Sequence, residues 1–174
     1  MEKHIRRPKE EVCDSYYTTY IDQVKDLDFM AVLQRAKIET PALLAGLNAD
    51  QWRLRYQHDK WTVKEVLLHV IDTERIFAYR ALRIARDDQT PMAGFDQNDY
   101  VPFSDAGQRT PTSIIEEYQS VRNATLSLFR HFNEEMYLRL GTASGKPFTP
   151  LSIGFIIAGH EIHHLRILKE KYLG

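Results

Sequence analysis

The sequence has one cysteine, Cys13, so no disulfide can close within a single chain and an oxidising compartment has nothing here to stabilise. It has almost no charge imbalance: 23 Lys and Arg against 24 Asp and Glu leave a formal net charge of -1. Nucleic-acid binders concentrate positive charge to displace counterions from phosphate, and the short His4-Ile5-Arg6-Arg7-Pro8-Lys9 stretch is too small to do so. No segment reaches the roughly 18 apolar residues that a membrane span needs. The opening Met1-Glu2-Lys3-His4-Ile5-Arg6-Arg7 is not followed by the apolar stretch of a secretory leader. The expectation is a cytoplasmic protein with neither nucleic acid nor membrane as partner. Internal repeats and low-complexity tracts are also missing. A chain of 174 residues, 43% of them apolar, is then read as one domain with one core, residues 1–25 forming an N-terminal extension.

What the sequence does contain is helical spacing. Phe29, Met30, Leu33, Ala36, Leu43, Leu44 and Leu47 recur at steps of three or four between Leu27 and Leu47, with Pro41 expected to kink or split that helix. Thr62-Val63-Lys64-Glu65 reads as a capping box that starts a second helix running to near Arg86. Thr110-Pro111 and Thr149-Pro150 each set a cap before a proline whose missing N–H is harmless at the first helical position. They start a third helix to about Phe132 and a fourth to Tyr172. Four helices of similar length specify an all-α four-helix bundle. Gln51 to Lys60 reads as a surface connector or a short extended piece.

Helix links in bundles usually take about 2 to 8 residues, whereas Asp87 to Arg109 is 23 residues long. Phe95, Tyr100, Val101 and Phe103 within it need packing partners, so it is expected to be an ordered crossover along the bundle. Such a crossover between helices two and three makes those two helices parallel.

Seven histidines are present, three of them in Gly159-His160-Glu161-Ile162-His163-His164. His160 and His164 are one helical turn apart on one face and form a chelating pair, or else two solvated side chains near a helix end. The apolar run from Ile153 to Gly159 favours the first reading, because buried imidazoles without partners are costly. The same five residues match the His-Glu-x-x-His pattern of zinc proteases, which take a third ligand from downstream. Only ten residues follow His164, and none can serve. A third ligand therefore has to come from upstream, and His69, inside the apolar Leu67-Leu68-His69-Val70-Ile71, is the best candidate. It lies about 10 Å beyond the start of helix two, and His164 about 12 Å before the end of helix four, so antiparallel packing brings all three to similar levels.

The other candidates read as follows. His4 falls in a tail, His58 in a connector and His131 near the end of helix three, where a cation suits the dipole. His163 is a contact behind the ligands, a dimer contact or neither. Asp72, one turn after His69, either orients its ring or is solvated, and Glu161 is a base only if it faces the ion. Arg80 meets an anionic substrate or forms a salt bridge. Asp96 and Asp99 line a pocket or serve turn chemistry around Gly94 and Pro102.

Lys60-Trp61-Thr62-Val63-Lys64-Glu65-Val66-Leu67-Leu68-His69-Val70-Ile71-Asp72 resembles the second-helix motif of the DinB/YfiT-like superfamily, and Gly159 to His164 resembles its C-terminal motif. The resemblance extends over most of the chain from the first helix onward, including Gly94 to Tyr100 of the crossover. It implies a four-helix bundle, commonly a homodimer, with one divalent ion held by His69, His160 and His164. Nickel or zinc is the usual ion; iron or manganese is admitted. It also implies one of two chemistries on a small molecule, metal-dependent hydrolysis or S-transfer of a low-molecular-weight thiol. Three neutral imidazoles leave one position open, and such an ion acidifies water or binds a thiol as thiolate. A bundle in which the ion only ties helices together is the alternative.

Overall fold

The computed structural model describes Pro8, residues 15–24 and residues 26–174. Cys13 and His4 lie outside the described residues, with most of the N-terminal basic stretch. In chain order the α-helices are α1 (Ser15–Ile21), α2 (Phe29–Ala45), α3 (Ala49–Arg53), α4 (Val63–Ala85), α5 (Gln97–Tyr100), α6 (Pro111–Arg130), α7 (Glu134–Leu138) and α8 (Pro150–Ile167). Strands β1 (Gly141–Ala143) and β2 (Lys146–Phe148) form a hairpin before α8, which continues as a wider π-type turn through Leu173. The long helices α2, α4, α6 and α8 are the four-helix bundle.

Local chemistry explains where they start. The Thr62 hydroxyl accepts from the Glu65 amide at 3.2 Å, while a Glu65 oxygen accepts from the Thr62 amide at 2.6 Å. Thr110 accepts from the Ser113 amide, and Thr149 closes a reciprocal box with Ser152, each before a proline. Asp28 caps α2 by accepting from the Met30 amide.

Pairings fix the directions. Phe29 meets Phe129 (ring centroids 5.4 Å apart) and the Tyr118 hydroxyl donates to the Ala36 carbonyl (3.1 Å), so α2 and α6 are antiparallel. Lys64 donates to the Arg109 carbonyl (2.6 Å) and Arg122 to Glu74 (2.8 Å), so α4 and α6 run parallel, as the long crossover requires. The Tyr172 hydroxyl donates to the Trp61 carbonyl (2.8 Å), and Phe77 faces Phe148 (6.1 Å), so α4 and α8 are antiparallel.

The core has two apolar layers. One gathers Phe29, Phe77, Phe129 and Phe155; the other gathers Leu44, Trp52, Leu67 and Tyr118. Between their levels along α4 and α6 lie Glu74 and Arg122, both buried.

Several expectations need correction. Pro41 does not split α2; the Lys37 carbonyl, which a proline four residues on cannot serve as donor, belongs to an exposed residue within reach of solvent. Residues 49–53 are helical rather than extended, because Asn48 and Gln51 form a capping box. Phe103 is 90% exposed and finds no packing, although Val101 is buried. The hairpin was not anticipated: Ser144 (φ 51°) and Gly145 (φ 71°) make its two-residue turn, and Met92 on the crossover bridges to Ala143. Among the described residues no helix is long and apolar enough to cross a membrane.

Candidate metal centre

α4 presents His69 about two turns inside its capped start, and antiparallel α8 presents His160 and His164 on successive turns. The three rings converge. Nε2 of His160 lies 3.0 Å from Nε2 of His69 and 3.1 Å from Nε2 of His164, and one nitrogen from each residue falls within 4.8 Å of the others. His69 and His160 are buried; His164 is partly so. Burial penalises the imidazolium, so His69 falls to about 4 and His164 to about 3, the latter also repelled by His69 and His163. His160 is lowered well below its ordinary value by burial and then by its two neighbours. All three are neutral near pH 7.

His160 Nε2 has either one N–H or one lone pair, so whatever the tautomers it cannot make a full hydrogen bond to both neighbours at once. A cation can satisfy all three rings. Nitrogens at 2.0–2.1 Å from a tetrahedral ion are about 3.3 Å apart, close to the spacing between these rings. No aspartate, glutamate or cysteine joins the group among the described residues.

The Thr73 hydroxyl lies 3.4 Å from His69 Nδ1, on the ring edge away from the cluster. Thr73 thus takes the orienting place that the sequence offered to Asp72, whose carboxylate instead pairs with Arg75 at 3.6 Å. A hydroxyl one turn along a helix gives no pattern that singles it out from any other threonine.

Glu161, a base only if it faces the ion, has both carboxylate oxygens engaged by other partners. Its Oε1 accepts from the hydroxyls of Thr40 (2.7 Å) and Tyr118 (2.6 Å), and its Oε2 from Arg122 (2.6 Å). Arg122 also grips Glu74 through Nε (2.9 Å) and Nη2 (2.8 Å). Burial alone would loosen the Arg122 proton, but Glu161 and Glu74 outweigh it and hold the group well above its ordinary value. One side chain from each of α2, α4 and α8 and two from α6 therefore share a buried polar network next to the ligands. The sequence hid Arg122 and Tyr118 among ordinary helical residues.

A pocket of about 140 Å³ opens onto the three rings. Aromatic side chains dominate its wall: Tyr16, Tyr17 and Tyr20 from α1, Trp61 before α4, Phe77 on α4 and Phe95 on the crossover. Trp61 lies 5.0 Å from the His69 ring and Tyr20 5.3 Å from that of His160. Of the crossover, Phe95 and Gln97 line the pocket; Asp96 caps α5, and both it and Asp99 are exposed. Among the described residues Arg80 makes no ion pair. Its Nη2 donates to the Ala93 carbonyl (2.9 Å) and the Ser144 hydroxyl (3.1 Å), its guanidinium sits 5.1 Å from the Phe77 ring centre, and its Nη1 has no hydrogen-bond partner. His163 packs edge-on against Tyr20 at 5.4 Å, His131 caps α6 through the Ser127 carbonyl, and His58 is exposed.

α1, which falls within the N-terminal extension, covers the site. Gly159, next to His160, makes this possible: a Cβ there would lie 1.9 Å from the Tyr20 carbonyl oxygen. The tyrosines at 16, 17 and 20, spaced for one helix face, were the available signal.

Comparison with known proteins agrees with this architecture. The model of the DinB superfamily matches residues 33–168. Among solved structures the chain is similar to YfiT from Bacillus subtilis, described as a probable metal-dependent hydrolase with an unusual four-helix bundle topology. The two share 18% identity and a TM-score of 0.70, over 94% of this chain and 89% of that one. No curated protein matches the chain.

Proposed function

Because the chain belongs to the DinB superfamily, we propose that it is a divalent-metal-dependent enzyme acting on a small molecule, by hydrolysis or by transfer of a low-molecular-weight thiol. The observation that carries this reading is the meeting of three neutral imidazole nitrogens, with no fourth protein ligand among the described residues, at a pocket large enough for a small substrate. His69, His160 and His164 would hold the ion, zinc or nickel first and iron or manganese after them, since imidazole suits all of these. A bound ion supplies Lewis acidity, which acidifies water or a thiol and polarises an acceptor oxygen.

The chain's own residues do the rest. Thr73 holds the His69 ring. The network on Glu161 fixes the helix that carries two ligands, and the aromatic wall limits water around the reacting group. A purely structural ion is the weaker reading, because the Arg122 network already ties α2, α4, α6 and α8 together without one.

The two chemistries are separated by assay. Metal-loaded protein is offered ester and amide substrates in one panel and electrophiles with low-molecular-weight thiols in the other. Turnover in one panel, lost on chelation and in His160→Ala, is expected. No turnover in either panel by fully loaded protein would contradict the catalytic proposal.

A further inference from the structure

The pocket beside the histidines differs from a general solvent cleft in what surrounds it. Six aromatic rings come from three separate parts of the chain: Tyr16, Tyr17 and Tyr20 from α1, Trp61 and Phe77 from the α4 region, and Phe95 from the crossover. Among the described residues that line it there is no aspartate, glutamate, lysine or arginine, and Gln97, Ser144, Thr73 and the Trp61 indole N–H supply the polar atoms other than the histidines and tyrosine hydroxyls. Its volume of about 140 Å³ matches a buried cavity of about 150 Å³ that holds one benzene ring. The rings already meet edge to face, Tyr17 on Phe77 at 5.7 Å and on Phe148 at 5.3 Å, an arrangement that a further ring can extend. Behind the wall the Arg80 guanidinium lies between the Phe77 and Phe95 rings, 5.1 and 5.8 Å from their centres, so a cationic guest is disfavoured.

Resting on the proposed function, we propose that the substrate presents a single uncharged aromatic ring to this pocket, and that α1, seated on α8 through Gly159, is the wall that sets its size. Three of the six rings belong to α1. Its backbone comes so close to α8 that any side chain at 159 would collide with the Tyr20 carbonyl, 1.9 Å from where a Cβ would stand. Glycine at 159 is what lets the tyrosines reach the histidines. Tyr17, wedged against Phe77 and Phe148, fills the space that a second fused ring of the ligand would need.

The test uses hydrocarbons that cannot ligate a metal: toluene, methylcyclohexane and 1-methylnaphthalene, titrated into the full chain, both metal-free and zinc-loaded, and followed by calorimetry and by tryptophan fluorescence, to which Trp61 at the pocket and Trp52 in the core both contribute. Toluene is expected to bind at least about 3-fold tighter than methylcyclohexane, the margin of an aromatic contact over equal apolar area, and tighter than 1-methylnaphthalene. Gly159→Ala should weaken toluene by about 10-fold or more while circular dichroism shows the bundle intact. Tyr17→Ala, which keeps the glycine and removes one ring, should reverse the order in favour of 1-methylnaphthalene. No binding of toluene, no preference over methylcyclohexane, or unchanged ring-size selection in Tyr17→Ala overturns the proposal. Because the probes bind without the metal, failure here is distinct from failure of the metal reading, which shows as loss of zinc uptake with toluene binding retained.

Discussion

Replacing Arg122 by leucine removes the cation from a layer that holds two carboxylates. Arg122 has no solvent exposure and donates to Glu74 at 2.8 and 2.9 Å and to Glu161 at 2.6 Å. Without it, each carboxylate either stays charged in the core, at a cost of several kcal/mol, or takes up a proton. Protonation sets the ceiling. From an ordinary glutamate value of about 4.3, it costs about 3.7 kcal/mol per carboxylate at pH 7, or about 7 kcal/mol for both. That is comparable to the whole stability of an average domain, about 5–15 kcal/mol, so the variant stands at the edge of unfolding at pH 7. A carboxyl that binds its proton more tightly folded than unfolded destabilises at high pH, and the penalty fades as the pH falls toward the unfolded value. The deficit relative to the unaltered chain should shrink by about 2.7 kcal/mol per pH unit between pH 7 and pH 5. Urea denaturation of both proteins at pH 5, 6 and 7 measures it. A deficit under about 1 kcal/mol at pH 7, or one that does not change with pH, refutes the assignment of Arg122 as the counter-ion of both glutamates.

The metal-free protein should lose stability as pH drops from about 6.5 toward 4. His69 and His164, held to about 4 and about 3, stay neutral in the fold while the unfolded chain protonates, a loss of about 1.4 kcal/mol per pH unit for each. Thermal melts of metal-stripped protein across that window check it, and a flat profile would mean the rings are not buried neutral. Thr73→Val keeps the shape but removes the hydroxyl beside His69 Nδ1, so zinc affinity measured against a chromophoric chelator should fall about 10-fold with little change in melting temperature. Unchanged affinity would show that the ring is oriented by packing alone.

The parts of the fold legible in the sequence were those set by local rules. The caps at Thr62, Thr110 and Thr149 start α4, α6 and α8, because side-chain oxygens three residues before an amide satisfy it wherever the rest of the chain lies. The 23-residue crossover announced parallel α4 and α6, and with them the antiparallel meeting of His69 with His160 and His164. What stayed hidden depends on contacts between distant segments. Glu161 turns to Arg122 rather than to the histidines because of three partners between 39 and 121 residues away, which no helical spacing reveals. Phe103 is apolar yet exposed, and α1 joins the site only because Gly159 leaves room for its backbone. Ser144-Gly145 did carry a local turn signal, and the hairpin it makes was within reach of the same rules.

The central claim is that one divalent cation is held by His69, His160 and His164. Metal-stripped protein is loaded with zinc or nickel, freed of excess by gel filtration, and its metal counted by plasma mass spectrometry beside His69→Ala, His160→Ala and Glu161→Gln. One ion per chain is expected in the unaltered protein and in Glu161→Gln, and close to none in the two alanine variants. Full retention by both alanine variants would contradict the account.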